Sequence, residues 1–120
     1  MAELSHVFLY VLSLTKIYHW QTKIYNKHVA SGNYYDAISP LIDQFIETYQ
    51  GKYGQIKYEP TTIKFDNITD AQFMTILIDF KDFLLGDIPN IIDKKDADLI
   101  TIRDEILAQT NQTIFLLNLQ

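Results

Sequence analysis

The chain has 120 residues, 48% hydrophobic and 21% charged, with only four Gly and three Pro. That composition describes one globular domain, residues 1–120, large enough to bury a core, and excludes a disordered chain, a collagen or a loop-rich scaffold. The lack of Cys excludes a disulfide framework, a thiolate metal site and a Cys nucleophile, and a net charge of -5 disfavours nucleic acid, whose phosphates an acidic surface repels.

The first predicted helix runs from Ala2 to about Lys27. Val7, Tyr10, Val11, Leu14, Ile17, Tyr18 and Ile24 recur at intervals of three and four, the helical period. Its apolar stretch from Val7 to Leu14 is too short to cross a bilayer and has no Lys or Arg before it, so it reads as a buried helix face and not as a membrane span or signal peptide. Trp20 lies one turn from Ile17 and Ile24 and is expected to pack inward or at an interface. Ala30-Ser31-Gly32-Asn33 is rich in turn formers and predicts the break between helices one and two.

Asn33 is the expected N-cap of the second helix, Tyr34 to about Tyr53, with Pro40 inside it as a kink or a late start. Gly54 is a candidate left-handed stop. Gln55 to Ile68 shows no helical period and contains Pro60; it predicts a long connection between helices two and three. Thr69 or Asp70 caps a third helix, Ala71 to Leu85, with Phe73, Ile76, Leu77, Phe80, Phe83 and Leu84 inward. A loop from Asp87 to Lys95 follows. The fourth helix opens near Asp96 and carries Leu99, Ile102, Ile106, Gln109 or Thr110, Thr113 and Leu117 on one stripe. The predicted class is all-α, a four-helix bundle with a long connection between helices two and three.

The chemistry-bearing residues concentrate in the first half. Asp36, Asp43 and Glu47 are seven and four apart, so they share one helix face within about 60° of arc. A hairpin turning about Ser31 would set His19 opposite Asp43 and Lys16 opposite Glu47, with His28 near Asp36. Two readings of this constellation stand side by side. One is a metal site of His19, His28, Asp36, Asp43 and Glu47, a ligand mixture that suits iron, manganese or zinc. The other is a solvated charge stripe, with Lys16 and Lys23 as surface partners of the carboxylates. A second acidic group (Asp79, Asp82, Asp98, Asp104 and Glu105) has no His beside it and reads as a solvated face. The paired Glu-x-x-His of a di-iron bundle is absent, as are a Gly-x-Ser-x-Gly motif and a Gly-rich phosphate loop. No catalytic residue is assigned.

The order His19-Trp20, His28, Asp43-x-x-x-Glu47 and Gly54 resembles the Dps family of mini-ferritins. That resemblance implies a ferritin-like four-helix bundle in a hollow oligomer, with iron oxidised where His19 and His28 face Asp43 and Glu47 of a neighbouring chain. His19-Trp20-Gln21-Thr22-Lys23, Tyr49-Gln50-Gly51-Lys52-Tyr53-Gly54 and Ile102-Arg103-Asp104-Glu105-Ile106 are similar to words in small ferritin-like proteins of viruses and phages. This second resemblance implies a viral origin, in the host cytoplasm or the virion. The expectation is a non-catalytic binding or assembly protein, associated with the virion or a host factor and partnered by itself or another protein, with no nucleic acid and no membrane. The alternative is a Dps-like metal-binding mini-ferritin that oxidises or stores iron.

Overall fold

Four helical rods, with no strand among the described residues, form the molecule; the computed structural model describes residues 2–119. Helix α1 spans Ala2–Gln21 and α2 spans Tyr25–Tyr53. Helix α3, Asp70–Asp82, continues without a break through a π-helical turn, Phe83–Asp87, into the single turn α4, Ile88–Ile91. The last rod, α5, is Ala97–Leu117. The main packing pairs are α1 with α2 and α3, and α5 with α2 and α3, which closes a four-membered ring. At about 1.5 Å per residue, the 29 residues of α2 are as long as the molecule's 42 Å axis.

Local signals set most helix ends. Thr69 and Gln72 form a reciprocal capping box at the start of α3, which satisfies two donors that the helix leaves open. Gly54 closes α2 at φ 90°, a conformation that an L side chain resists. Pro40 lies inside α2, and the helix continues through it on its exposed side. Pro40 therefore leaves only the Asp36 carbonyl without its helical donor, at a position open to water.

The hairpin differs from the sequence expectation. The chain turns at Thr22-Lys23-Ile24, and Ala30-Ser31-Gly32-Asn33 is helical. Ala30 and Ser31 are buried. These small residues mark a close approach of α1 to α2, a packing requirement that in sequence looks the same as a turn. The inward face of α1 accordingly comprises Leu4, Phe8, Val11, Leu14 and Tyr18; Val7, Tyr10 and Ile17 are half-buried, and Ile24 is exposed in the turn. Trp20 does not pack inward: it is 71% exposed.

The core is aromatic at its centre. Phe8 meets Phe45, Phe80 and Phe83 edge to face, with ring centroids 5.5, 6.0 and 5.9 Å away, an arrangement favoured by the ring quadrupoles. Tyr34 donates to Thr110 Oγ1 at 2.7 Å, and Thr110 donates to the Ile106 carbonyl at 2.9 Å, so both buried hydroxyls of the α2–α5 contact are satisfied. Burial raises the Tyr34 phenol far above its ordinary value. The inward stripes of α3 and α5 match the expected ones, except that Ile76 is only half-buried.

Polar contacts tie the end of α2 to the start of α5. Lys52 bridges Asp96 and Asp98, and Tyr53 donates to Asp96, which also accepts the Asp93 N–H at 2.9 Å. The Tyr53 hydroxyl and the Asp93 amide hold the Asp96 carboxyl below the usual carboxylate range. In the π-helical turn the Leu84 carbonyl accepts from Arg103 Nη1 at 3.0 Å, so α5 supplies a donor where the helical ladder is disturbed. The connection Gln55–Ile68 runs alongside α1. Tyr58 donates to Ser5 Oγ near one end of α1, and at the other Gln21 donates to Asn67 and accepts from the Ile68 amide.

Phe8→Ala should lower unfolding stability by about 3–5 kcal/mol, the usual cost of removing a buried aromatic that cannot be replaced by collapse. Urea unfolding followed by circular dichroism measures it; a loss below about 1 kcal/mol would contradict this packing.

Candidate functional site

His19, in the last turn of α1, and His28, in the first turn of α2, face each other across the hairpin. Their rings stack with centroids 3.9 Å apart and planes inclined by 14°. His19 Nδ1 donates to the His28 carbonyl at 2.7 Å, and His28 Nδ1 donates to the His19 carbonyl at 2.8 Å. Carbonyl oxygens only accept, so each ring carries a proton on Nδ1. His28 thereby satisfies one of the carbonyls left open at the end of α1. Ser31 Oγ also donates to the His28 carbonyl, at 3.1 Å. Gly32 leaves room for the clasp: a Cβ there would stand 2.8 Å from His19 Cε1 and 3.2 Å from its Nδ1.

This geometry joins the two histidines but does not join them to the carboxylates. With the turn at residues 22–24, His19 lies opposite His28, not Asp43. Asp43 and Glu47 instead line a cleft with Ser5, Leu9 and Leu12. Leu12 is seven residues before His19, which is about 10 Å along α1. Asp36 is exposed on α2. Lys16, expected beside Glu47, lies over the Tyr35 ring at 4.3 Å. Among the described residues no three His, Asp or Glu side chains gather to hold a metal ion. Nor can the clasped pair share one: a nitrogen lone pair lies in its ring plane, and stacked rings with centroids 3.9 Å apart and planes inclined by only 14° do not converge on one ion within the roughly 2.0–2.1 Å of a metal–nitrogen bond.

Beside the clasp is a junction that the sequence did not reveal. Asp70, the first residue of α3, accepts from the Tyr18 hydroxyl at 2.6 Å and the Thr22 hydroxyl at 3.1 Å, with Lys27 Nζ at 3.9 Å. Three helices and the hairpin turn thus meet on one carboxylate, at a helix N-terminus that favours negative charge. The Tyr18 hydrogen bond holds Asp70 below the usual carboxylate range. Desolvation, reinforced by Asp70, raises the Tyr18 phenol far above its ordinary value. Tyr18 also stacks on Phe73 at 4.2 Å. These partners lie about 50 residues apart in the chain, so no local motif announces them.

The outer face of the α1–α2 pair carries a groove. Two clefts, of about 400 and 420 Å³, meet at Leu9 and Leu12. One continues past Ile46, Asp43 and Glu47 to Tyr58, and the other past Ile17 and Tyr35 to Trp20 and Phe65. Leu9 is 50% exposed, Phe65 64% and Trp20 71%, so the groove holds apolar surface that the fold itself does not use. Asp43 and Glu47 line its α2 side, Asp36 continues their row along the helix beyond the lining, and none of the three has an ion-pair partner among the described residues.

One family model matches residues 19–117, described as a family of unknown function (DUF5856). The chain belongs to this family. The DUF5856 match takes in the clasp, Gly32, the three carboxylates, Asp70 and the contacts of Lys52 and Tyr53 with Asp96, and begins one residue after Tyr18. No curated protein and no solved structure matches the chain.

Two outcomes follow from the clasp and the junction. In a helix interior Gly→Ala gains about 0.8–1.0 kcal/mol. Gly32→Ala should instead lower stability in the wild-type background, where its Cβ displaces His19, and raise it in a His19→Ala background. Urea unfolding of the four proteins measures this, and the same sign in both backgrounds would show that His19 does not set the helix spacing. For the junction, the depressed Asp70 contributes stability above its unfolded value near pH 4, lost as pH falls through the folded value. The raised Tyr18 contributes stability below about pH 10, lost as pH climbs beyond it. A Tyr18→Phe variant should therefore show a flatter stability profile than wild type at both extremes; identical slopes would remove the coupling.

Proposed function

We propose that this DUF5856 chain is a non-catalytic binding or assembly protein that takes another protein in the α1–α2 groove. The observation that supports this is the exposed apolar lining of Leu9, Trp20 and Phe65, set on a bundle whose own core is complete without it. Large apolar side chains left in a concave surface between two helices are what a partner's side chains can bury, each stabilising a complex by roughly 25 cal/mol per Å² removed from water. No helix among the described residues is long and apolar enough to cross a membrane. The ferritin-like words of the sequence fit a bundle kept as a scaffold, and their viral likeness points to a virion component or a host factor as the partner.

A displayed library of random peptides tests the reading. Panned on the wild-type chain and counter-selected on a Leu9→Ser/Trp20→Ser/Phe65→Ser variant, it should enrich peptides that bind the first at least about tenfold more tightly than the second. All three residues are half or more exposed, so the variant is expected to keep wild-type urea stability within about 1 kcal/mol. Failure to enrich any groove-dependent peptide against a folded target would remove the proposal.

A further inference from the structure

We propose that the occupant of the groove is a basic amphipathic helix of another protein; this rests on reading the groove as a recognition surface and adds the chemistry of what it recognises. The floor and the wall of the groove have different characters. Leu9, Leu12 and Ile46 offer apolar surface, while Asp43 and Glu47 stand on the α2 side and Asp36 continues their line. At about 1.5 Å per residue, the spacings of seven and four put the carboxylates about 10.5 and 6 Å apart along the axis. They are exposed and without intramolecular cations among the described residues. The groove's own cation, Lys16, is laid against the Tyr35 ring.

A helix lying parallel to α2 has the same rise, so basic residues at its positions i, i+7 and i+11 meet all three carboxylates. Its apolar residues at the intervening three- and four-residue steps then face Leu9, Leu12 and Ile46. From Ser5 to Trp20 the groove is about 22 Å long, room for roughly fifteen residues of helix. A net charge of -5 favours the approach of a cationic partner. A second copy of this chain is the poorer occupant: a two-fold contact through the groove sets one row of carboxylates against the same row of its mate.

The probe is a synthetic amphipathic helix of about eighteen residues with a leucine face and Lys at i, i+7 and i+11, compared with twins carrying Gln or Glu there. Binding is read by Trp20 fluorescence and by NMR shifts at Leu9, Leu12 and Ile46. The Lys peptide should bind about tenfold more tightly than the Gln peptide and weaken with added salt, and the Glu peptide should not bind. An Asp36→Asn/Asp43→Asn/Glu47→Gln variant should lose the preference for Lys while still binding the Gln peptide. Equal binding of all three peptides, or a preference that survives in that variant, overturns the charge reading and leaves the groove reading standing. If no peptide of the set binds while groove-dependent peptides are enriched from the library, this inference alone fails; if neither occurs, both fail. Sedimentation of the protein alone closes the remaining route: a dimer that Leu9→Ser dissociates and that excludes the Lys peptide overturns the inference in favour of a second copy.

Discussion

The reciprocal histidine clasp fixes where α1 and α2 sit relative to each other, and most of the architecture inherits that register. A three-residue turn between long helices gives little control over their alignment, and the start of α2 has no side-chain cap at Ile24. His19 and His28 supply the missing control. Each ring reaches across to the other helix's backbone, and the stack between them fills the space that Gly32 leaves open. A slip of one residue would rotate each ring by about 100° away from its acceptor. The clasp therefore selects one alignment, and Ala30 and Ser31 let the helices come close enough for it to form.

Once that alignment is set, the remaining features follow in sequence. Tyr18 is turned inward onto Phe73 and Asp70, so α3 docks by its first turn. Phe8 is placed three turns earlier, at the centre of the aromatic cluster that joins α1, α2 and α3. The connection Gln55–Ile68 then has to return along α1 and is pinned near both of that helix's ends. What α1 leaves outside is the Leu9, Leu12 and Trp20 side of the helix, beside the acidic row of α2. The groove is thus a consequence of the register and not a separate construction.

The parts of this fold that were legible in the sequence are those whose cause is local. The cap of α3 at Thr69 or Asp70, the stop at Gly54 and the inward stripe of α5 each depend on residues within a turn or two of one another. The hairpin was misplaced because Ala30-Ser31-Gly32 has two physical explanations, a chain reversal or a close helix contact, and only the partner helix distinguishes them. That single displacement carried the candidate site with it. His19 and His28 do come together, but moving the turn by about eight residues takes Asp43 and Glu47 away from them. Asp70 and the Leu84 carbonyl were invisible for a related reason: their partners, Tyr18 and Arg103, come from other helices, and no periodicity records such a meeting.

The carboxylates that the hairpin keeps away from the histidines have a different role in the proposed reading of the groove. A concave surface with Leu9, Trp20 and Phe65 exposed invites self-pairing, since every copy offers the same surface. In that reading Asp36, Asp43 and Glu47 oppose that pairing by like-charge repulsion and keep the rim hydrated. In the proposed reading the same three charges discriminate among partners, because a helix that buries its leucines beside them without cations leaves the carboxylates partly desolvated and unpaired. Repulsion of the wrong occupant and attraction of the right one then come from the same atoms. This makes the spacing of the acidic row along α2, more than the identity of any one apolar residue in the floor, the feature on which specificity depends.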